Sequence, residues 1–227
     1  EAEGKELETL HQQYRLSFTN ETSWTFNAQK YVQLARYRAA LENYRAALDA
    51  DADEATLASF EAAVRAANPE DLDPGEDIRF EQEKAARAKT GRKFQALEDA
   101  YFSAVREPDG PGRAADLAAR IEALDTPDPH DLNCLAWKIL TELDPSQRDC
   151  PLALRLAQSA MDATNGKSAA ILDTYARALF DSGRVAEAIK WQQRAIDACE
   201  HKWDKPEYAQ RLAEFQVAAA KDVTPVP

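Results

Sequence analysis

The sequence predicts an all-α protein. Alanine, leucine, glutamate and arginine, which favour helices, are abundant over the 227 residues, whereas glycine occurs only seven times. Apolar residues recur at steps of three and four, and no run of alternating β-branched residues indicates a strand. Short segments rich in proline, glycine and aspartate separate these patterns. The chain is therefore predicted to form antiparallel helical hairpins.

Residues 1–75 are predicted to form a region of long helices, of unknown type. Its strongest pattern is a stripe that includes Leu34, Tyr37 and Leu41. The adjacent near-repeat, YRAALEN followed by YRAALDA, is shorter than the three or four heptads that indicate a coiled coil. We therefore interpret this stripe as one amphipathic helix that packs on its neighbours. The predicted helices of this region span residues 5–18, 24–48 and 54–67.

The clearest break in the chain is NPEDLDPGED, residues 68–77, which contains two prolines, a glycine and five acids. We place a domain boundary there and assign residues 76–227 to a second helical domain. Within it, 78–125 is interpreted as a degenerate helical pair and 205–221 as an end helix. The predicted helices span residues 78–106, 112–124, 129–143, 149–164, 168–182, 185–200 and 205–221.

Residues that favour helix ends support these spans. Asp128 or Asp131 can cap the helix at 129–143, and Asp149 stands before a proline in the first turn of the next helix. Gly166 and Gly183 lie where left-handed residues commonly end helices.

Two helix pairs, 129–164 and 168–200, repeat one pattern of small and large apolar residues. In the earlier pair this pattern comprises Leu132, Leu135, Ala136, Ile139, Ala153, Leu154, Ala160 and Met161. In the later pair it comprises Leu172, Tyr175, Ala176, Leu179, Ala188, Ile189, Ala195 and Ile196. Ala153 and Ala188 are 35 residues apart, as are Ala160 and Ala195. A period near 34 with helix–turn–helix units is typical of tetratricopeptide arrays.

Residues 129–200 resemble the tetratricopeptide repeat (TPR) family. The later unit carries the motif with Ala176 where the family usually has glycine, whereas the loop TELDPSQRDC of the earlier unit is longer and lacks the turn glycine. The segments LAW, RDCPLALRLAQ and AILDTYARALF are similar to the repeat tail that follows a thioredoxin-like domain in some bacterial exported redox proteins. The resemblance implies a right-handed helical solenoid that presents a concave surface to a protein or peptide.

The redox half of that architecture is not expected here, because the sequence has no Cys-x-x-Cys motif and no strands for a thioredoxin sheet. The resemblance is therefore taken to imply a role in protein interaction and no redox activity. The resemblance, together with the missing initiator Met, favours an extracytoplasmic location. Among the three cysteines, Cys134 is expected in the core, and the sequence leaves a Cys150–Cys199 bridge open.

Charge and motif content disfavour several functions. The net charge of −12 argues against nucleic-acid binding, and no apolar run approaches the roughly 20 residues that span a membrane. Glu8 and His11 form a single Glu-x-x-His, whereas a di-iron bundle needs two. Cys199 and His201 likewise lack a second pair of metal ligands. We therefore expect no enzyme activity, no cofactor and no metal site.

The resemblance places the first helix of each pair on the concave surface. The residues expected to line this groove are Asn133, Trp137, Leu140, Asp173, Arg177 and Phe180. The alternatives are that Trp137 packs against the preceding helix, that Phe180 belongs to the core, and that Arg177 is a solvated charge or pairs with Asp173. A possible second patch comprises Trp203 and Tyr208, of which Trp203 is expected to be the more exposed.

The function predicted from the sequence is non-enzymatic protein–protein interaction through a TPR-like groove, within a larger assembly. One alternative is a structural subunit that self-associates through its N-terminal helices. Another is an accessory domain that docks a thioredoxin-like redox partner.

Overall fold

The structure, a computed structural model, describes the backbone of residues 21–68 and 72–222. Within these ranges it consists of nine α-helices and one short 3-10 helix, with no strand. The all-α prediction is therefore confirmed. The weak helix predicted at 5–18 lies outside the described residues.

The helices follow one another with short connections. Their bounds are α1 Glu21–Asp49, α2 Glu54–Ala66, α3 Pro74–Arg106, α4 Pro111–Glu122, α5 Pro129–Thr141, α6 Cys150–Ala163, α7 Ala169–Asp181, α8 Val185–Ala198 and α9 Lys205–Asp222. A 3-10 turn, Pro145–Gln147, lies in the long loop between α5 and α6. The third helix begins earlier than predicted because Pro74 occupies its first turn and Asp73 accepts a hydrogen bond from the Gly75 N–H at 2.8 Å.

Aspartate side chains begin several of the helices. Asp128, rather than Asp131, caps α5 and accepts the backbone N–H of His130 at 2.8 Å. Asp149 caps α6 and accepts the N–H of Leu152 at 2.9 Å. Both carboxylates satisfy N–H groups that have no partner within the helix.

Glycines in the left-handed region end α6 and α7. Gly183 has a φ of +78°, and its N–H donates to the carbonyl of Phe180 at 2.9 Å. Gly166 has a φ of +62° and donates to the carbonyl of Met161 at 2.9 Å. Glycine adopts this conformation without the strain that a side chain would cause, so each turn is tight.

Contacts within the chain define two compact units, residues up to Ala88 and residues from Lys89 onward, and the division falls within α3. The domain boundary expected near residue 75 stays a prediction. In the first unit, α1 and α2 form a hairpin around Tyr37, Tyr44 and Val64.

The second unit is a succession of packed helices. Consecutive helices pack on each other from α5 to α9, and α5 also packs on α7. The close approaches between helices are made at alanines with no exposed surface: Ala136, Ala153, Ala160, Ala176, Ala188 and Ala195. Large aliphatic side chains, such as Leu135, Leu156 and Leu179, fill the space between them.

Candidate protein-binding surface

The residues predicted to line a groove occupy equivalent positions on α5 and α7. Asn133, Trp137 and Leu140 lie 40 residues before Asp173, Arg177 and Phe180, respectively. In each set the spacing of four and three places the side chains on one face of a helix. Since α5 packs on α7, the two faces are brought together in one unit.

Three of these six residues are buried in the fold. The exposed fraction is 8% for Asn133, 4% for Asp173 and 0% for Leu140. Trp137, Arg177 and Phe180 are half-buried and retain surface toward solvent. A partner that binds without rearrangement would therefore touch Trp137, Arg177 and Phe180 and not the three buried residues.

The last helix, α9, contributes a residue that the sequence analysis did not select. Arg211 Nε donates to Asp173 Oδ1 at 2.7 Å, and its guanidinium lies 5.2 Å from the centre of the Trp137 ring. The same guanidinium donates to Glu207 Oε1 at 2.8 Å. Arg211 thus joins α9 to both α7 and α5, through an ion pair and a cation–π contact.

The ion pair between Arg177 and Asp173, one of the alternatives left open by the sequence, is not formed. Arg177 Nε instead donates to Asp181 Oδ2 at 2.9 Å, one turn further along α7. Asp173 is already engaged by α8 and α9, because Gln192 and Arg211 donate to the same carboxylate oxygen. Asp173 and Asp181 are each four residues from Arg177, so helical spacing alone allowed either carboxylate as its partner.

A buried amide completes this polar cluster. Gln192 on α8 has no exposed surface, and its Nε2 donates to Asp173 Oδ1 at 2.6 Å and to the Tyr208 carbonyl at 3.1 Å. Both neighbours are acceptors, which fixes the orientation of the amide. Burial raises the pKa of Asp173 above its ordinary value, although Arg211 and Gln192 act in the opposite direction.

Phe180 belongs to the contact between α7 and α9. Its ring stacks on Phe215 with a centroid separation of 4.3 Å and an interplanar angle of 17°. Phe215 itself is 1% exposed. Phe180 therefore packs largely against the core, as one alternative had it, and keeps part of its surface exposed.

The two residues of the possible second patch differ in exposure. Trp203 is 83% exposed and lies in the loop before α9, with Lys202 Nζ 5.5 Å from its ring centroid. Tyr208 is 8% exposed, and burial raises its pKa to about 12. Only Trp203 is therefore available to a partner.

The three cysteines differ in burial: Cys199 is buried, whereas Cys134 and Cys150 are half-buried. All three are free thiols, so Cys150 and Cys199 are not bridged. Burial raises the pKa of both Cys134 and Cys150, which keeps these thiols protonated at neutral pH. Within the described ranges, no cluster of three or more His, Cys, Asp or Glu side chains is arranged to hold a metal.

The described helices include none with the length and apolar character needed to cross a membrane. Comparison of the chain with models of protein families, with curated proteins and with solved structures finds no match. The surface built by α5, α7 and α9 must therefore be interpreted from its own residues.

Proposed function

We propose that residues 129–222 form a TPR-like, right-handed helical solenoid that binds a protein or peptide and acts within a larger assembly. In this proposal the chain is not an enzyme, and the binding surface is formed by α5, α7 and α9. The observation that supports it is that buried residues occupy equivalent positions in three successive first helices, α5, α7 and α9.

The recurrence involves both the first and the second helices of the pairs. Leu132 of α5 and Leu172 of α7 are buried positions 40 residues apart, and Tyr208 of α9 follows after a further 36. The alanines of α6 and α8 recur after 35 residues and are fully buried. By this register, α9 takes the place of a first helix in a third, incomplete unit, and repeats that stack in this way build extended binding surfaces.

The accessible side chains of this surface suit the recognition of a peptide. Trp137 and Arg177 are of the types that dominate binding energy at protein interfaces. Arg211 lies over Trp137, and Glu207, whose side chain is 66% exposed, pairs with that arginine. We therefore expect a ligand segment that sets an apolar side chain on Trp137 and a carboxylate near Arg177.

The test begins with selection of binding peptides from a random displayed library against the intact chain. The dissociation constant of a selected peptide is then measured for the double variant Trp137→Ala/Arg177→Glu. The matched control is Trp203→Ala/Arg87→Glu, which makes the same substitutions at an exposed tryptophan and at an arginine whose side chain is 80% exposed.

Loss of at least about tenfold in affinity in the first variant alone would support the groove, because central Trp and Arg contacts carry such energies. Equal binding by both variants would place recognition elsewhere on the chain. Circular dichroism must show unchanged helicity for the comparison to hold.

A further inference from the structure

A cavity of about 570 Å³ lies between the end of α4, the loop before α5, and α6. Its floor is apolar, since the exposed fractions of Ile121, Leu132 and Leu156 are 0%, 5% and 2%. Its rim on α6 is polar and exposed, and includes Ser159 and Asp162. Pockets of about 300–1,000 Å³ that combine an apolar lining with a few polar groups are typical of binding sites.

The elements around this cavity recur along the chain, so an equivalent place can be located. Helices α5 and α7 begin and end 40 residues apart, and α6 and α8 begin and end 35 residues apart. The preceding loops match as well, because Thr126 and Gly166 are 40 residues apart and have positive φ values of 43° and 62°. The cavity of the earlier pair, α5 and α6, therefore has a counterpart in the later pair, α7 and α8.

Larger side chains occupy the counterpart in the later pair. Trp191 and Arg194 of α8 stand where α6 has Leu156 and Ser159. Arg194 Cζ lies 4.3 Å from the centre of the Trp191 ring. The same guanidinium reaches the loop, since a Cβ added to Gly166 would lie 3.7 Å from its Nη2 atom. An aromatic ring and an arginine of the chain itself thus cover this place in the later pair, whereas leucine and serine are too small to do so in the earlier one.

Charge indicates what the cavity accepts. Two positions that carry cations in the later pair, those of Lys167 and Arg194, hold a proline and a serine in the earlier pair. Among the charged side chains that line the cavity, Glu122 accepts from Arg155 Nε at 2.6 Å, which leaves the Asp162 carboxylate to face a ligand. The net charge of −12 also favours a basic partner over an acidic one.

We propose that this cavity binds a basic segment of a partner protein, which lays an arginine side chain over Leu156 and Ser159. The stem of that arginine packs on the apolar floor, and its guanidinium pairs with the Asp162 carboxylate. An apolar neighbour in the same segment takes the space that Trp191 occupies in the later pair. Because the rim on α6 is exposed, a free guanidino compound would leave much of its surface in water, whereas a polypeptide continues across the rim.

The probe is the synthetic hexapeptide Gly-Trp-Gln-Gln-Arg-Gly, blocked at both ends, which reproduces residues 191–194. The reference peptide has citrulline, a neutral isostere, in place of arginine. The methyl signals of Ile121, Leu132 and Leu156 are followed by NMR in the full chain as each peptide is added. The arginine peptide is expected to shift these signals and to bind at least about fivefold more tightly than the reference, because only a cation pairs with Asp162.

Variants of the chain locate the binding. Ser159→Arg supplies the missing side chain from α6 itself and is expected to raise the dissociation constant of the arginine peptide by about tenfold or more. Ser103→Arg, the same change at an exposed serine on α3, is the matched control and should leave binding unchanged. Asp162→Asn alters an exposed position and should bring the two peptides to equal affinity, even if Ser159→Arg perturbs folding. The double variant Trp137→Ala/Arg177→Glu should bind as wild type does, since it changes the other surface.

The proposal is overturned if neither peptide shifts the three methyl signals at about 1 mM, or if the citrulline peptide binds as tightly as the arginine peptide. Free arginine that binds as tightly as the hexapeptide would also overturn it, since the cavity would then take a small guanidino compound. Equal weakening by Ser103→Arg and Ser159→Arg would place the binding outside the cavity.

Discussion

The two compact units differ in the kind of contact that stabilises each of them internally. In the second unit, aliphatic side chains and alanines form one continuous core that extends from Phe94 to Phe215. Among the described residues of the first unit, the buried cluster comprises Tyr37, Tyr44, Val64 and Ile78. The hydroxyls of both tyrosines are tied to α3, where Tyr37 donates to Asp77 at 2.6 Å and Tyr44 accepts from Gln82 at 2.7 Å.

This difference indicates which substitutions should lower the free energy of unfolding most. Removal of an aliphatic side chain from a dense core costs both its transfer free energy and the cavity that it leaves. Removal of one hydrogen bond near the surface costs about 1 kcal/mol, because water replaces the partner. We therefore expect the largest single-site losses in the second unit, and smaller losses that depend on pH where polar groups carry the contact.

The largest effect is expected for Leu135→Ala. Leu135 has no exposed surface and lies in the middle of the second core. The substitution is expected to lower the free energy of unfolding by about 3–4 kcal/mol. Urea denaturation followed by circular dichroism measures the change. The same substitution at Leu72, which is 37% exposed, should change stability by less than about 0.5 kcal/mol, and a comparable loss there would contradict the contrast.

A second large effect is expected at the turn between α3 and α4. A Cβ added to Gly110 would lie 1.6 Å from the backbone oxygen of Ala104, so Gly110→Ala must displace the turn. The expected loss is about 2–3 kcal/mol in the free energy of unfolding. Gly112→Ala is the control, because nothing lies within 4 Å of the added atom there. A gain of about 0.5 kcal/mol is expected from helix propensity, and equal losses would refute the steric explanation.

The helices could be predicted from the sequence because their signals are local. Apolar period, aspartate caps and turn glycines lie within a few residues of the ends that they determine, as with Asp149 and Gly183. The buried faces of α5 and α7 were predictable for the same reason. Leu132, Ala136 and Leu172 sit at helical spacing, and all are buried.

The polar contacts between helices could not be predicted in the same way. Arg211 is 38 residues from Asp173, and Gln82 is 38 residues from Tyr44, so no local pattern joins either pair. The steric demand at Gly110 comes from a backbone oxygen six residues earlier and not from the conformation of the glycine itself. The identity of the groove's accessible residues depended on such distant contacts, which is why Leu140 and Phe180 were selected together although only Phe180 keeps exposed surface.

The third prediction concerns the polar tie between α1 and α3. Glu81 accepts hydrogen bonds from the Nε and Nη2 atoms of Arg45, and these bonds lower the pKa of its carboxyl despite burial. Glu81→Gln is expected to cost about 1 kcal/mol at neutral pH, a modest amount because Arg45 remains partly in water. With a lowered pKa, the contribution of the wild-type pair is present above pH 4.5 and is lost as pH falls through the folded-state pKa.

Thermal or urea unfolding from pH 7 to pH 3 tests this expectation. The stability difference between wild type and Glu81→Gln should shrink as the solution becomes acidic. Glu83→Gln is the control, since Glu83 is 68% exposed and its carboxylate is 3.9 Å from Arg87. A difference that stays constant with pH would show that the charge of Glu81 does not carry the contact.

The smallest effect is expected at Asp173, and its pH dependence has the opposite sign. Burial raises the pKa of Asp173 above 3.8 in the folded state, so acidification favours folding at this site. Asp173→Asn keeps an oxygen that can accept from Gln192 and Arg211, but it cannot titrate. Wild type should therefore gain stability relative to the variant as pH falls through the folded-state pKa toward 3.8. The carbon-13 shift of the Asp173 carboxyl should titrate above that value.

The carboxylates of Glu81 and Asp173 are each bound by an arginine, yet their pKa values shift in opposite directions. The sign of each shift must therefore come from the surroundings of the pair. The two carboxylate side chains are similarly shielded, at 5% exposed for Asp173 and 7% for Glu81. The arginines differ, because Arg211 on α9 is 13% exposed and Arg45 is 44% exposed. Desolvation of the charged form exceeds the attraction of the arginine in the first pair, and the reverse holds in the second. If the two variants shift stability in the same direction with pH, depth of burial does not control these pairs. Opposite slopes would mean that acid loosens the tie between α1 and α3 while it relieves the buried charge beneath α9.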